Sequence, residues 1–383
     1  NSKINLNITL RSIKSGIPLR GMDIMGAGGF LMAIQKKEFG VMPSGEKVYE
    51  YTLTNKSGVS ASFIELGATW TKMLVPDRDG NMADVILGYD DLASYQANTP
   101  HFGAPIGRNA NRIGNAVITI DGKDYKLEAN NGPNNLHSGP DLYHSRLWES
   151  WAYETAEGSR LDFFLNSPDG DQGYPGNAKI RISYTLTEDS CLKIDYNMVA
   201  DADTVANFTN HCYFNLAGHN SGPVMDQQVW LAADTYTPAD AVSIPTGEIL
   251  PVAGTPMDFT KMKPIGQDIE VDFEALILGH GYDHNWVLNH EAGVLGIAGK
   301  AKDPASGRVM EAYTDLPGMQ FYTANFLKDE RPGKGGAHYD RRHAFCFETQ
   351  YYPDACHKPN FPSPILKAGD TYKTTTIYKF YAE

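Results

Sequence analysis

The chain has 383 residues, 42% of them hydrophobic, and its formal net charge at pH 7 is −13. This length allows two average domains or one large all-β domain, and the apolar content is enough for a substantial core. The acidic balance argues against nucleic acid and against an anionic membrane as partners, because both require a basic face that attracts phosphates.

Cysteine usage and hydrophobic runs indicate the redox state and compartment that we expect. The four cysteines are too few and too scattered for a disulfide framework, and no pair has the close spacing of a zinc site. No apolar run approaches the roughly 18 residues of a membrane span. Up to about Gly40 there is no basic segment followed by a long apolar core, the pattern of an export signal. We therefore expect reduced thiols and a cytoplasmic location.

The start of the chain carries the weakest pattern. We expect a lead-in over residues 1–40, followed by a single domain over 41–383. Met22–Phe30 is interpreted as a flexible lead-in or a peripheral strand. The Gly26–Gly29 cluster lacks the complete glycine spacing and the following helix of a phosphate-binding loop, so we do not assign it that function.

Alternation of apolar and polar residues dominates the remaining chain and is typical of half-buried strands. Asp121-Gly122 predicts a tight hairpin turn after Val117–Ile120, and a second hairpin joins Ala178–Leu186 to Leu192–Met198. Helical patterning is best at Asp90–Gln96. Further strands are expected at Val48–Leu53, Ser60–Leu66, Arg160–Leu165, Val229–Ala232, Trp286–Leu288, Arg308–Thr314, Gln320–Thr323, Ala344–Gln350 and Thr374–Tyr381. The pattern predicts an all-β fold, a large antiparallel β-sandwich with few short helices.

The segment Asn207–Leu216 is unusual for a half-buried strand. On a strand, one of its faces would carry apolar residues, namely Phe208, Cys212, Phe214 and Leu216. The other face would carry polar side chains, namely Asn207, Thr209, His211, Tyr213 and Asn215. A histidine among amides and hydroxyls suits binding a polyhydroxylated molecule and moving one of its protons. The alternative is a hydrogen-bonded structural histidine.

Glu348 is the second unusual residue, because it lies in a predicted strand between apolar neighbours. Burial there would raise its pKa toward the range of a general base working near neutral pH. An ion pair with Arg341 or Arg342 across the sheet is the alternative.

Several loops add polar groups. Asp283 follows a glycine-rich loop, where ligand contacts and turn contacts are both common. His137 and Gln320 lie in short segments that combine an imidazole or an amide with aromatic or glycine neighbours. The block Gly107–Gly114 holds two arginines and two asparagines, which either bind hydroxyl and carboxylate oxygens or hold the loop together. His280 and His284 flank a glycine in a loop, which is poor geometry for a metal pair, so no metal is expected.

Taken in order, these segments resemble the aldose 1-epimerase (galactose mutarotase) family. The matching blocks are Gly107–Gly114, Asn134–Gly139, Asn210–Leu216, Gly281–Trp286, Pro317–Phe326 and Phe347–Ala355. The resemblance implies a galactose mutarotase-like β-sandwich, no cofactor, and interconversion of the α and β anomers of free aldohexoses. It implies that His211 is the general acid and Glu348 the general base. The sugar-binding positions that it implies are Arg108, His137, Asp283 and Gln320, with Asn109 beside them.

Three other functions stay open at this point. A glycoside hydrolase would use Asp283 and Glu348 as its carboxylate pair. A non-catalytic sugar-binding module would keep the polar face without acid–base chemistry. A sugar-phosphate epimerase would need more basic residues than this acidic chain suggests. The expected partner is a small monosaccharide, and the expected assembly is a monomer or a homodimer.

Overall fold

The computed structural model describes residues 33–383, and the predictions for Met22–Phe30 and Gly26–Gly29 lie outside them. The strands are β1 (Ile34–Val41), β2 (Lys47–Thr54), β3 (Ser60–Ile64), β4 (Thr69–Pro76), β5 (Met82–Asp84), β6 (Ala104–Ile106), β7 (Arg112–Ile113), β8 (Val117–Ile120), β9 (Lys123–Lys126), β10 (Asn135–Leu136), β11 (Glu149–Glu154), β12 (Gly158–Ser167), β13 (Ala178–Thr187), β14 (Cys191–Ala200), β15 (Thr204–Val205), β16 (Thr209–His211), β17 (Gln228–Leu231), β18 (Thr235–Thr237), β19 (Leu250–Pro251), β20 (Lys263–Pro264), β21 (Asp283–Val287), β22 (Gly296–Lys302), β23 (Arg308–Thr314), β24 (Gly318–Tyr322), β25 (Cys346–Gln350), β26 (Ile365–Leu366) and β27 (Thr371–Ala382). The α-helices are α1 (Leu92–Gln96) and α2 (Glu274–Gly279).

Three antiparallel sheets contain most of the strand residues of the described chain. The largest has nine strands in the order β11-β12-β13-β14-β27-β23-β22-β17-β20. Two five-stranded sheets have the orders β1-β2-β3-β4-β5 and β19-β18-β21-β24-β25. The predicted all-β sandwich with few short helices is confirmed. Among the described residues, no helix has the length and apolar character needed to cross a membrane.

One apolar core joins these three sheets. Phe63 of β3, Ile194 of β14 and Phe321 of β24 are all fully buried members of this core. Burying a side chain of this kind contributes roughly 1.5–3 kcal/mol to folding. The alternation of strand side chains thus places one face of each sheet in a common interior, which holds the polar strands of the site in fixed positions.

Local turn chemistry explains why both predicted hairpins form. Asp121 and Gly122 have φ angles of 51° and 79°, the pair of positive values that a tight two-residue turn between β8 and β9 needs. In the longer hairpin, Ile182 of β13 lies opposite Tyr196 of β14, so apolar residues of both strands share the core face.

The helix prediction also holds, because α1 begins directly after Asp91, whose carboxylate accepts a hydrogen bond from the Ser94 backbone N–H at 2.8 Å. In contrast, β1 begins inside the stretch expected to be a lead-in. Four consecutive residues of β1 are exposed, which explains why its sequence lacks an alternating pattern. The domain boundary near residue 40 stays a prediction.

Candidate active site

His211 ends strand β16, which pairs with β6 so that His211 lies opposite Ala104. Its side chain is buried, and its ring stacks on Tyr213 with the ring centroids 5.1 Å apart. On one side of the ring, Nδ1 lies 3.8 Å from the Cys346 thiol. The imidazole is therefore held between an aromatic face and a sulfur atom, and its Nε2 is left for chemistry.

Glu348 lies on β25, which is fully buried along its length. Its neighbour in register is Gln320 of β24, so two buried polar side chains lie opposite each other on adjacent strands. The Glu348 carboxylate Oε2 is 3.6 Å from Nε2 of His211. Thus an imidazole and a carboxyl from distant parts of the chain converge on one point.

The predicted alternative for Glu348, an ion pair with Arg341 or Arg342, does not occur. Arg342 pairs with Glu270, and Arg341 donates a hydrogen bond to the His280 carbonyl at 3.1 Å. Among residues 33–383 no arginine forms an ion pair with the buried carboxyl, and the histidine is its close titratable partner.

Both groups open onto a cavity of about 360 Å³. Its lining residues are Thr99, Pro100, His101, Asn111, Arg112, Asn131, Leu136, His137, His211, Tyr213, Asp283, Gln320, Tyr322, Phe326, Leu327, Lys328, Glu330 and Glu348. Tyr322 and Phe326 form an aromatic wall with stacked rings 6.5 Å apart. An aromatic wall beside amides, imidazoles and carboxyls can hold both the C–H face and the hydroxyls of a sugar.

The predicted residues Asp283 and Gln320 lie on adjacent strands and form part of a chain of amides. Gln320 donates to Asp283 at 2.8 Å and accepts from the Gln350 amide at 3.0 Å. The Asn111 amide in turn donates to Gln350 at 3.4 Å. Each amide is oriented by the next, so the donors point in one direction, toward the Asp283 carboxylate.

His137, the third predicted binding residue, is buried at the opposite wall. Its Nδ1 accepts a hydrogen bond from the Asn111 backbone N–H at 3.1 Å. A neutral imidazole has one donor and one acceptor nitrogen, so its Nε2 carries the proton and serves as a donor.

Two sequence predictions are corrected by the structure. Arg108 was expected to bind substrate, but it is 0% exposed and is not part of the cavity wall. Its guanidinium donates to the carbonyls of Pro175 at 2.7 Å and Gly176 at 2.9 Å, and to the Ser167 hydroxyl at 2.8 Å. Arg108 therefore binds the protein's own backbone, which is the loop-holding alternative for this block.

Asn109 is also turned away from the cavity. Its side-chain amide donates to the Ala110 carbonyl at 2.8 Å, and its backbone N–H donates to the Ser138 hydroxyl at 3.1 Å. Both groups are engaged within the protein and Asn109 does not line the cavity, so the structure does not support its predicted sugar contact.

The same block supplies two residues that the sequence analysis did not select. Asn111 and Arg112 line the cavity, and the Arg112 Nε donates to Asn131 at 3.0 Å. Asp354 anchors this loop, because its backbone N–H donates to the Arg112 carbonyl and its carboxylate accepts from the Gly114 N–H, each at 2.8 Å. Only spatial proximity to Glu348 distinguishes Arg112 from Arg108, and the local sequence contains no signal for it.

The polar row predicted in Asn207–Leu216 is only partly correct. The strand ends at His211, and Phe214 then forms an isolated bridge to Phe345. The apolar row does enter the core, but of the polar row only His211 and Tyr213 line the cavity. The break in the strand ends the alternation on which the prediction depended.

Burial shifts the acidities of the two converging groups in opposite directions. Removal from water raises the pKa of Glu348 well above its ordinary value; the nearby Asp283 adds to the shift and Arg112 opposes it. Burial lowers the pKa of His211 to about 4. Near neutral pH the His211 imidazole is therefore neutral, and the raised pKa of Glu348 favours the protonated carboxyl.

His137, His211 and Glu348 offer ligand atoms within 4.8 Å of one another, a spacing that could suit a metal ion. However, the donor set does not fit, because Nδ1 of His137 already accepts a hydrogen bond and its Nε2 carries a proton. A metal ligand needs a free lone pair on that nitrogen. The residues fit a hydroxylated ligand better than a cation.

A β-sandwich with a buried imidazole and a buried carboxyl at the wall of one polar cavity defines an acid–base enzyme for a small hydroxylated substrate. The family model described as aldose 1-epimerase matches residues 49–379. The chain is 40% identical over 350 residues to galactose mutarotase from Bos taurus, covering 91% of this chain and 99% of the relative. It is 34% identical over 343 residues to aldose 1-epimerase from Escherichia coli (strain K12), covering 89% and 97%.

Solved structures agree. Galactose 1-epimerase from Lactobacillus acidophilus NCFM superposes with a TM-score of 0.80 at 26% identity, covering 91% of this chain and 98% of that one. An aldose epimerase homologue from C. elegans superposes with a TM-score of 0.79 at 30% identity, covering 86% and 98%. The chain belongs to the aldose 1-epimerase family.

Proposed function

We propose that this protein is a mutarotase that interconverts the α and β anomers of free aldohexoses, with galactose as a substrate. The observation that carries the proposal is the 3.6 Å approach of His211 Nε2 to Glu348 Oε2 at the wall of a sugar-sized cavity. The names of the relatives, galactose mutarotase and aldose 1-epimerase, support galactose in particular.

The reaction needs one proton donor and one proton acceptor. The acid gives a proton to the ring oxygen while the base takes the proton of the anomeric hydroxyl, and the bond between the anomeric carbon and the ring oxygen breaks. Rotation of the free aldehyde followed by closure on its other face gives the opposite anomer. During closure both protons return, so a pair that holds one proton is restored after each turnover.

The proposed roles are acid for His211 and base for Glu348. Burial by itself favours the shared proton on Glu348, because it raises the pKa of this carboxyl and lowers that of the imidazole. A bound sugar changes this balance, since an anomeric hydroxyl that donates a hydrogen bond to Glu348 favours the carboxylate. The proton then belongs on His211, next to the ring oxygen.

The other cavity residues supply recognition. His137 Nε2–H and the Arg112 guanidinium are donors, and Asp283 is an acceptor whose carboxylate is fixed by Gln320. Tyr322 and Phe326 provide the aromatic face. This combination of directional polar groups and one apolar wall suits a single hexose.

Polarimetry of freshly dissolved α-galactose tests the proposal. His211→Asn and Glu348→Gln should each lower the catalysed rate of anomer equilibration by roughly 10² to 10⁴-fold. His338→Asn is a matched control, because this histidine is exposed and pairs with Asp329 outside the cavity. Full acceleration by both cavity variants would rule out the assignment of these two residues.

Two further measurements separate the rival functions. A glycoside hydrolase using Asp283 and Glu348 would release reducing sugar from a glycoside panel. A sugar-binding module would show heat of binding in calorimetry while the polarimetric rate stayed at that of buffer. We also expect a monomer or a homodimer and a cytoplasmic location, to be checked by light scattering and cell fractionation.

A further inference from the structure

His101 lines the cavity at the start of β6, but neither the sequence analysis nor the mechanism above gives it a role. Its backbone has φ of 64°, in the left-handed region that few non-glycine residues adopt. The turn is closed by hydrogen bonds of 3.0 Å from the His101 N–H to the Asn98 carbonyl and from the Ala104 N–H to the His101 carbonyl. The backbone therefore holds this ring at the cavity wall.

The ring lies beside both imidazoles already assigned to the site. Its centroid is 5.4 Å from that of His137 and 5.8 Å from that of His211. A sugar within reach of those two rings is consequently within reach of His101.

Behind His101, away from the cavity, is a fourth histidine. The Nδ1 atoms of His101 and His144 are 3.4 Å apart, and His144 is buried without lining the cavity. Burial lowers the pKa of both imidazoles, so each is neutral near pH 7. Two neutral rings can bond through Nδ1 only if one donates and the other accepts.

The contact with His144 engages Nδ1 of His101, and the ring has a second nitrogen, Nε2. Within residues 33–383, the side-chain hydrogen bond of His101 is made by Nδ1, and Nε2 makes none. Nε2 is a donor when Nδ1 accepts and an acceptor when Nδ1 donates. A hydroxyl group can satisfy either state, whereas a carboxylate or an ammonium group could satisfy only one.

We propose that His101 is a further sugar-binding residue, whose Nε2 hydrogen-bonds a hydroxyl of the bound aldohexose while His144 holds the ring through Nδ1. The inference rests on the proposed mutarotase function and deepens it. His101 takes no part in the proton transfers, so its contribution belongs to substrate affinity.

Two substitutions at this position form a matched pair. His101→Asn keeps an amide near the position of Nδ1 and tolerates the left-handed backbone, but it removes the group at Nε2. His101→Gln extends an amide toward the position of Nε2. We expect the KM for galactose to rise about tenfold in His101→Asn, the loss of one hydrogen bond, with kcat little changed and a smaller rise in His101→Gln.

A series of deoxygalactoses, each lacking one hydroxyl, identifies the contact. If Nε2 binds one hydroxyl, the penalty of His101→Asn should vanish for the single sugar that lacks this hydroxyl and persist for the others. Thermal unfolding of each variant provides the control for folding, and His338→Asn provides the control for a histidine outside the site.

The outcomes separate this inference from the function on which it rests. An active wild type with an unchanged KM in His101→Asn, or with the same penalty for every deoxygalactose, would overturn the inference and leave the mutarotase proposal intact. A wild type that does not accelerate anomer exchange would overturn both.

Discussion

Arg108 and Arg112 lie four positions apart in the block Gly107–Gly114, but their side chains have different environments. The Arg108 guanidinium is completely enclosed and donates to the carbonyls of Pro175 and Gly176. The Arg112 guanidinium faces the cavity and favours the ionised form of Glu348. Arg108 therefore stabilises the surrounding loops, whereas Arg112 is placed to contact a ligand in the cavity.

The comparison shows that residue type and spacing identify a set of candidate binding residues, whereas the fold decides which of them contacts the ligand. Both arginines suit a hydroxyl or carboxylate equally well. The difference should appear as two separable kinds of defect, one in stability and the other in turnover.

The largest expected effect is a loss of catalysis on changing the two converging residues of the cavity. His211→Asn and Glu348→Gln should each lower kcat/KM by roughly 10² to 10⁴-fold while leaving the unfolding free energy nearly unchanged or increased. Because the two groups act as a unit, the double variant should be far less impaired than the product of the single losses. Polarimetry and urea unfolding on the same samples check this; strictly multiplicative losses would contradict a shared proton.

The next largest effect is a loss of stability on changing Arg108. Arg108→Met should destabilise the protein by about 3 kcal/mol or more, because several buried carbonyls lose their donor at once. The fraction that stays folded should retain its catalytic rate. Urea denaturation with activity normalised to folded protein measures both quantities. A stable Arg108→Met protein with a raised KM would reverse the comparison.

Arg112→Met should give the converse result. We expect KM for galactose to rise about tenfold, the loss of one charged hydrogen-bond donor, with an unfolding free energy close to that of the wild type. Saturation kinetics by polarimetry and a urea curve are sufficient. If KM stayed unchanged, Arg112 would be a wall residue that the sugar does not touch.

The smallest effect concerns pH. The active pair carries one proton, so the rate should fall when the pair gains a second proton, near the His211 pKa of about 4, and when it loses its last proton. The raised pKa of Glu348 moves this alkaline limit upward. In Arg112→Met the limit should move further upward, because a cation that favours the carboxylate has been removed. The measurement is kcat/KM as a function of pH. An alkaline limit that moved to lower pH in Arg112→Met would contradict this electrostatic role.

Sequence reasoning succeeded where the physics is local. The Asp121-Gly122 turn and the Asp91 helix cap follow from residues within a few positions of one another. His211 stood out as an imidazole in a row of polar side chains, and Glu348 stood out as a carboxyl between apolar neighbours in a predicted strand. The family resemblance assigned Arg108 to sugar binding, and this was wrong; the local pattern had left the loop-holding alternative open, because an irregular loop has no periodicity from which a side-chain direction can be predicted.

The remaining parts of the site could not be predicted because they depend on distances between separate segments. The sequence around His101 has no distinguishing pattern. Its proximity to the rings of His137 and His211, which indicates a place in the site, is seen only in the structure. The tautomer of His137 likewise depends on a backbone N–H from Asn111, which lies in another segment.

The Asp354 contacts join the loop of Arg112 to the segment that follows β25, the strand carrying Glu348. Two sides of the binding site are thereby coupled mechanically and keep their spacing in the absence of ligand. Such preorganisation means that little conformational freedom is lost when a hexose enters, since the ordering is completed during folding.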